Sequence, residues 1–241
     1  MLDFCLLSGY NSGRLLELGE VLMNKEWAEL NKSMQMQLKK QDTFTLGIDT
    51  LLNLRQKLMM QIMQFRDELS VEDFSAMPFK KAEGYHSKTI AYSIWHIFRI
   101  EDIVVHSLIA GDEQVFFSGN YKERTHSPII TTGNELGQEE IEVFSRELCV
   151  DELYNYMVDV DKATTHILRS LSYKDSKIKI DPAKKKYLDE IGVVSNDESA
   201  HWLIDYWCGK DVRGLIQMPL SRHWIMHIEA CLRIKSKLLS D

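Results

Sequence analysis

The segment from Lys88 to Ala110 constrains the fold more than any other part of the chain. It reads Ile90-Ala91-Tyr92-Ser93-Ile94-Trp95-His96-Ile97-Phe98 and continues with Ile100, Ile103, Val104, Val105 and Leu108 before stopping at Gly111. As a helix it is apolar nearly all round, so no face of it can be left to water and other elements must enclose it. Gly111 is a normal C-terminal stop. The remaining sequence supplies enclosing helices. Only four prolines and twelve glycines punctuate 241 residues, and β-branched alternation is scarce. A long helical pattern runs from about Asn24 to Leu69, with Leu51, Leu54, Leu58, Ile62 and Phe65 as an apolar stripe and Gly47 as an expected break. Ser70 and Asp73 then form a capping box. After a polar connector from Asp112 to Gly137, an amphipathic helix begins at Val150 and runs through Leu153, Tyr156, Met157, Val160, Ile167 and Leu171. Residues from Asp197 to Trp207 predict another helix, and the last spans about Leu220 to Leu239. No internal repeat appears, so the expectation is an all-α, single-domain helical bundle.

Charge and cysteine usage exclude several functions. A formal net charge of -7, with no basic tail, gives no footprint for nucleic acid. Cys5, Cys149, Cys208 and Cys231 are widely spaced and form no Cys-x-x-Cys pair, which argues against a disulfide framework and a thiolate zinc site. Reduced thiols predict a cytoplasmic protein, and no apolar run approaches the roughly 18 residues that cross a bilayer. Between Asp175 and Asp197 lies the most hydrophilic stretch, with Lys184-Lys185-Lys186, read as a solvated excursion rather than a binding patch.

The chemistry-bearing residues are histidines inside apolar helices. His223 and His227 sit four apart in Ser221-Arg222-His223-Trp224-Ile225-Met226-His227-Ile228-Glu229, which on a helix puts both imidazoles on one face. On its own this pair fits a metal couple and two hydrogen-bonded core histidines equally well, since a buried imidazole needs one partner or the other. Two imidazoles leave too many positions to water to hold a divalent ion firmly. A third ligand must come from elsewhere, and His96 is the candidate, although a lone histidine in an apolar helix is more often a core residue.

Taken together, the segment Thr89 to Asp102, with His96 followed by Glu101 and Asp102, and His223-x-x-x-His227 on the last helix resemble the DinB-like superfamily of helical-bundle proteins. The resemblance covers Asn24 to the C-terminus. It implies a four-helix bundle with up-down-down-up connection and additional short helices, and a site in which His96, His223 and His227 hold nickel, zinc or iron. It also implies metal-dependent hydrolysis or thiol-dependent transfer on a small molecule, with a low-molecular-weight thiol as a further cofactor. Many members carry a His-x-Gly-Gln-like segment after the second histidine of the pair, whereas this chain continues Ile228-Glu229-Ala230-Cys231. The metal site survives that departure, but placement in a particular thiol-transferase branch does not. Three neutral imidazoles on one side of an ion leave positions open, which is a catalytic pattern.

Other polar residues carry less. Glu101 and Asp102 are candidates for a base or for support of a ligand, but Arg99, three residues before Asp102, predicts a surface ion pair. His201 and Asp205, four apart, predict a local hydrogen bond. Trp202, Trp207 and Trp224 read as core or dimer-interface aromatics, and Cys208 and Cys231 as inert thiols that could approach the site. Exposed apolar helices predict a homodimer. Leu18-Gly19-Glu20-Val21-Leu22-Met23 is the translation that a purine-rich ribosome-binding stretch before an ATG would give, so residues 1–22 are read as an extension and 23–241 as the domain, with an ordinary N-terminal helix as the equal alternative. A second functional class stays open: a non-catalytic binding or stress-response module with structural histidines.

Overall fold

A computed structural model describes residues 24–82 and 84–240. The proposed extension 1–22, the start at Met23 and Cys5 lie outside them. The described residues are all-helical, and the only ladder-type pairing among them is an isolated bridge between Lys179 and Asp211. Four long helices dominate: α2 (Phe44–Glu68), α3 (Ile90–Asp102, continued with π winding over Ile103–Ala110), α5 (Val150–Ser170) and α9 (His223–Ser240). Around them lie α1 (residues 24–37), α4 (Gln138–Glu147), α6 (Pro182–Ile191), α7 (Glu198–Cys208) and α8 (Val212–Gln217), with two single-turn helices at Val115–Ser118 and Tyr121–Arg124.

The enclosure expected of α3 is complete. Every residue from Ile90 to Asp102 is buried. Thr89 starts the helix by accepting the backbone N–H of Tyr92 at 3.0 Å. Gly111 ends it at φ +75°, its N–H bonding His106 O at 2.7 Å in the i→i+5 pattern of a π turn.

Side-chain pairs fix how the long helices run. Asp151, Tyr154 and Asp161 along α5 meet Arg66, the Ile62 carbonyl and Arg55 in descending order along α2, so these two helices are antiparallel. Leu220 and Trp224 meet Arg55, while Lys235 meets Glu68 at the other end, so α9 runs with α2. His96 faces His227 and Phe98 faces Trp224, one step down α9 for a step up α3, so those two are antiparallel. Along α3 the apolar core changes company. Trp95 and Phe98 pack with Tyr156, Trp224 and the C-terminal half of α2. Ile100, Ile103 and Val104 pack with Leu51, Leu203, Trp207 and Leu215.

Where one core gives way to the other, Arg55 joins all four long helices. Its guanidinium binds both oxygens of Glu101 at 2.7 Å and Asp161 at 2.6 Å, lies 4.2 Å over the Trp224 ring and reaches the Leu220 carbonyl. Arg55 and Glu101 are both fully enclosed. Two bidentate bonds to a carboxylate hold the arginine firmly charged, because removing its proton would strand Glu101 without a counter-ion.

Two expectations are corrected. The long N-terminal pattern breaks at residues 38–43, not at Gly47, which lies inside α2. A Cβ on Gly47 would stand 2.9 Å from Leu38 Cδ2, so the glycine admits the end of α1 rather than breaking the helix. The hydrophilic stretch after Asp175 is a solvated excursion as expected, and part of it is helical: α6 has Asp181 as N-cap, Pro182 at the first turn and Gly192 beyond its end, and Leu188 is its buried residue. Asp102 is in no surface ion pair. It is fully buried, 3.4 Å from Arg99, and accepts the backbone N–H groups of Val115 and Phe116 and the Tyr156 hydroxyl, so it anchors the turn after α3. Among the described residues no helix is long and apolar enough to cross a membrane.

Candidate metal centre

His96, His223 and His227 come together. One nitrogen from each lies within 4.8 Å of the other two, and ring centroids stand 4.9 Å (His96–His227), 5.0 Å (His96–His223) and 4.6 Å (His223–His227) apart. All three are buried. The antiparallel run of α3 against α9 brings the seventh residue of one helix to the first turn of the other. His223 follows directly on a π-wound segment, Met218–Arg222, and its N–H bonds Met218 O across five residues.

A polar stripe on α3 orients the first of these rings. Tyr92, His96 and Arg99 lie on one helical face and grip three carbonyls of one loop: Arg99 Nε donates to Ile130 O at 2.9 Å, His96 Nδ1 to Thr132 O at 2.7 Å, and the Tyr92 hydroxyl to Gly133 O at 3.0 Å. A carbonyl only accepts, so His96 carries its proton on Nδ1 and its lone pair on Nε2. Donation of the outer N–H to a backbone carbonyl is how ligating histidines are held. Gly133 permits the grip: its φ is +77°, and a Cβ there would stand 3.0 Å from Tyr92 Cε2.

The donor set fits a divalent ion. Burial, then the neighbouring rings, lowers the pKa of His227 and His223 well below the usual imidazole value, and burial brings His96 down to about 4. All three are neutral near pH 7, the form that ligates. Neither nitrogen of His227 and not Nδ1 of His223 finds a hydrogen-bond partner. A buried imidazole left so costs free energy, and a cation between the rings relieves it. The buried triad can therefore hold a metal ion.

The imidazoles open on a cavity of about 540 Å³. Its lining includes Tyr85, Lys88, Tyr92, Asn134, Trp202 and Tyr206. The Tyr85 ring sits edge-on to His227 with centroids 4.7 Å apart, and Tyr92 stacks on His96 at 5.4 Å.

Other sequence candidates end elsewhere. Glu101 belongs to Arg55 and is no base at this site. His201 and Asp205 do not bond each other: His201 Nε2 meets Asp189 at 3.0 Å and Asp205 meets Lys185, both on α6. Trp207 and Trp224 are buried in the core and Trp202 is 51% exposed; Trp202 and Trp207 both line the cavity. Cys208 and Cys231 do not line it, and burial pushes the Cys231 thiol up to about 12. Sequence reasoning missed Lys88, Tyr92, Thr132, Gly133 and Asn134. The Tyr92-x-x-x-His96-x-x-Arg99 stripe of polar groups in an otherwise apolar helix was the available signal. Neither a family model nor a curated protein sequence matches the chain.

Proposed function

We propose that this chain is a DinB-like metal-dependent enzyme acting on a small molecule, with His96, His223 and His227 holding one divalent ion, and that it catalyses hydrolysis or transfer of a low-molecular-weight thiol. One observation carries the reading: three neutral, buried imidazoles from two distant segments converge at the floor of a cavity large enough for a small molecule. The directions of the four long helices agree with an up-down-down-up bundle. Nickel, zinc and iron all suit imidazole ligands.

A bound divalent ion would supply Lewis acidity that lowers the pKa of a nucleophile near neutral pH. The chain's own residues do the rest. Thr132 O fixes the His96 tautomer so that Nε2 faces its partners. Tyr92 and Tyr85 wall the imidazoles and limit water, and the low pKa of all three rings keeps protons from competing for them. The binding-module reading has no comparable support, because structural histidines would be expected to find hydrogen-bond partners and His227 finds none.

Elemental analysis of untagged protein tests the proposal. Near-stoichiometric nickel, zinc or iron is expected, and it should vanish in His223→Ala/His227→Ala. Metal-free protein whose double variant is equally stable would overturn it. A screen of esters and amides, with and without low-molecular-weight thiols, then separates hydrolysis from transfer.

A further inference from the structure

The cavity is not neutral. Lys88, the residue before the Thr89 cap, lines it and is half-buried. Its ammonium lies 5.1 Å from the Tyr92 ring centre, and that ring stacks on His96, so the charge stands no farther from the imidazoles than the span of one small molecule. Lys88 makes no ion pair and donates no hydrogen bond among the described residues. The nearby Glu135 turns instead to the Thr131 hydroxyl. An unpaired, half-buried ammonium is unexpected in a chain with 36 acidic and 29 basic residues, where a counter-ion is easily found. Asn134 lines the same cavity. Its Oδ1 accepts from Thr132 Oγ1 at 2.8 Å, which leaves its amide N–H groups uncommitted. Two donors, one of them charged, thus share the cavity. Trp202 and Tyr206, which line the same cavity, meet edge to face with centroids 5.7 Å apart and offer an aromatic surface.

We propose that the small molecule taken by this cavity carries a carboxylate, bound by Lys88 with the Asn134 amide, and a flat apolar body laid against Trp202 and Tyr206. A carboxylate can accept from the ammonium and the amide N–H together, one oxygen to each. Burial lowers the Lys88 pKa with no acid among the described residues to oppose it, consistent with a cation whose partner arrives with the ligand. The inference rests on the functional reading above, because it takes the cavity for the substrate site.

Benzoate, benzamide and phenyl phosphate, matched in ring and size, make the test. Each is titrated by calorimetry against the full-length protein as purified, with metal content measured on the same samples. Benzoate is expected to bind about tenfold more tightly than benzamide, in line with a charge-assisted bond. Lys88→Gln should abolish that preference and Lys88→Arg should keep most of it. Equal binding of benzoate and benzamide, a preference that survives Lys88→Gln, or tighter binding of phenyl phosphate than of benzoate would each overturn the assignment. A carboxylate preference in metal-free protein would uphold this inference while sinking the metal-dependent function. Full metal without the preference does the reverse.

Discussion

Replacing Arg55 by methionine is the sharpest test of how the bundle holds its candidate metal site. The substitution keeps an unbranched side chain but removes two 2.7 Å bonds to Glu101, the 2.6 Å bond to Asp161 and the stack on Trp224. Asp161 is 27% exposed and can turn to water, whereas Glu101 is wholly enclosed and cannot. Breaking a buried pair from one side costs about 3–5 kcal/mol, a large part of a total stability of about 5–15 kcal/mol. Arg55→Met/Glu101→Leu removes the stranded charge and should recover most of the loss, since apolar replacement of a whole buried pair is often neutral. Urea unfolding at pH 7 measures both. The variant also carries a pH signature. Burial pushes the Glu101 carboxyl upward even beside Arg55, and without the guanidinium it rises further. A folded pKa raised above the unfolded value of about 4.3 gives stability that is present below that value and lost as pH rises through the folded pKa. The deficit of Arg55→Met against the parent should therefore be smallest near pH 4 and grow toward neutrality. Trp224 adjoins His223, so metal retention should fall with stability in the single variant and return in the double. A single variant that loses under about 1 kcal/mol, or a double variant no better than the single, refutes the reasoning.

Two more outcomes follow from the site. In metal-free protein His96 has a folded pKa of about 4 against about 6.5 unfolded, so the unfolded chain takes up protons first; stability is full above pH 6.5 and should fall by about 3 kcal/mol as pH drops to 4, which thermal unfolding across that range would show. Gly133→Ala places a Cβ 3.0 Å from Tyr92 at a backbone angle L-residues avoid, so it should cost about 1–3 kcal/mol and about 10–100-fold in metal affinity by shifting the carbonyl that orients His96; competition with a chelator reads the second effect, and unchanged affinity would show that the loop does not orient the ring.

The helices were legible because their signals are local. Thr89 and Gly111 bound α3, Asp197 starts α7, and the Ser70–Asp73 box forms with reciprocal bonds of 2.9 and 3.4 Å. The triad was legible from spacing and resemblance, because a helix fixes which residues share a face. What escaped was set by tertiary partners. Arg99 and Asp102 suggested a solvent pair, yet the turns after α3 fold back over them and draw Asp102 to two backbone N–H groups. His201 and Asp205 were the right distance apart to bond, but α6 offers Asp189 and Lys185 instead. Lys88 looks in sequence like any solvated lysine before a helix, and only the convergence of α7 and α9 closes a cavity around it.

The π winding of Met218–Arg222 has an implication for how this site tolerates change. Each residue added to or removed from a helix turns everything beyond it by about 100° around the axis. A π segment amounts to one residue more than α winding would need, and it persists only when neighbours hold it open. Excising one codon at this spot would let the coil relax to ordinary pitch and swing both C-terminal imidazoles toward a different neighbour in a single step. The bulge thus works as an angular setting, and the histidine couple tolerates exchange of the bulge's side chains far better than any alteration in their number.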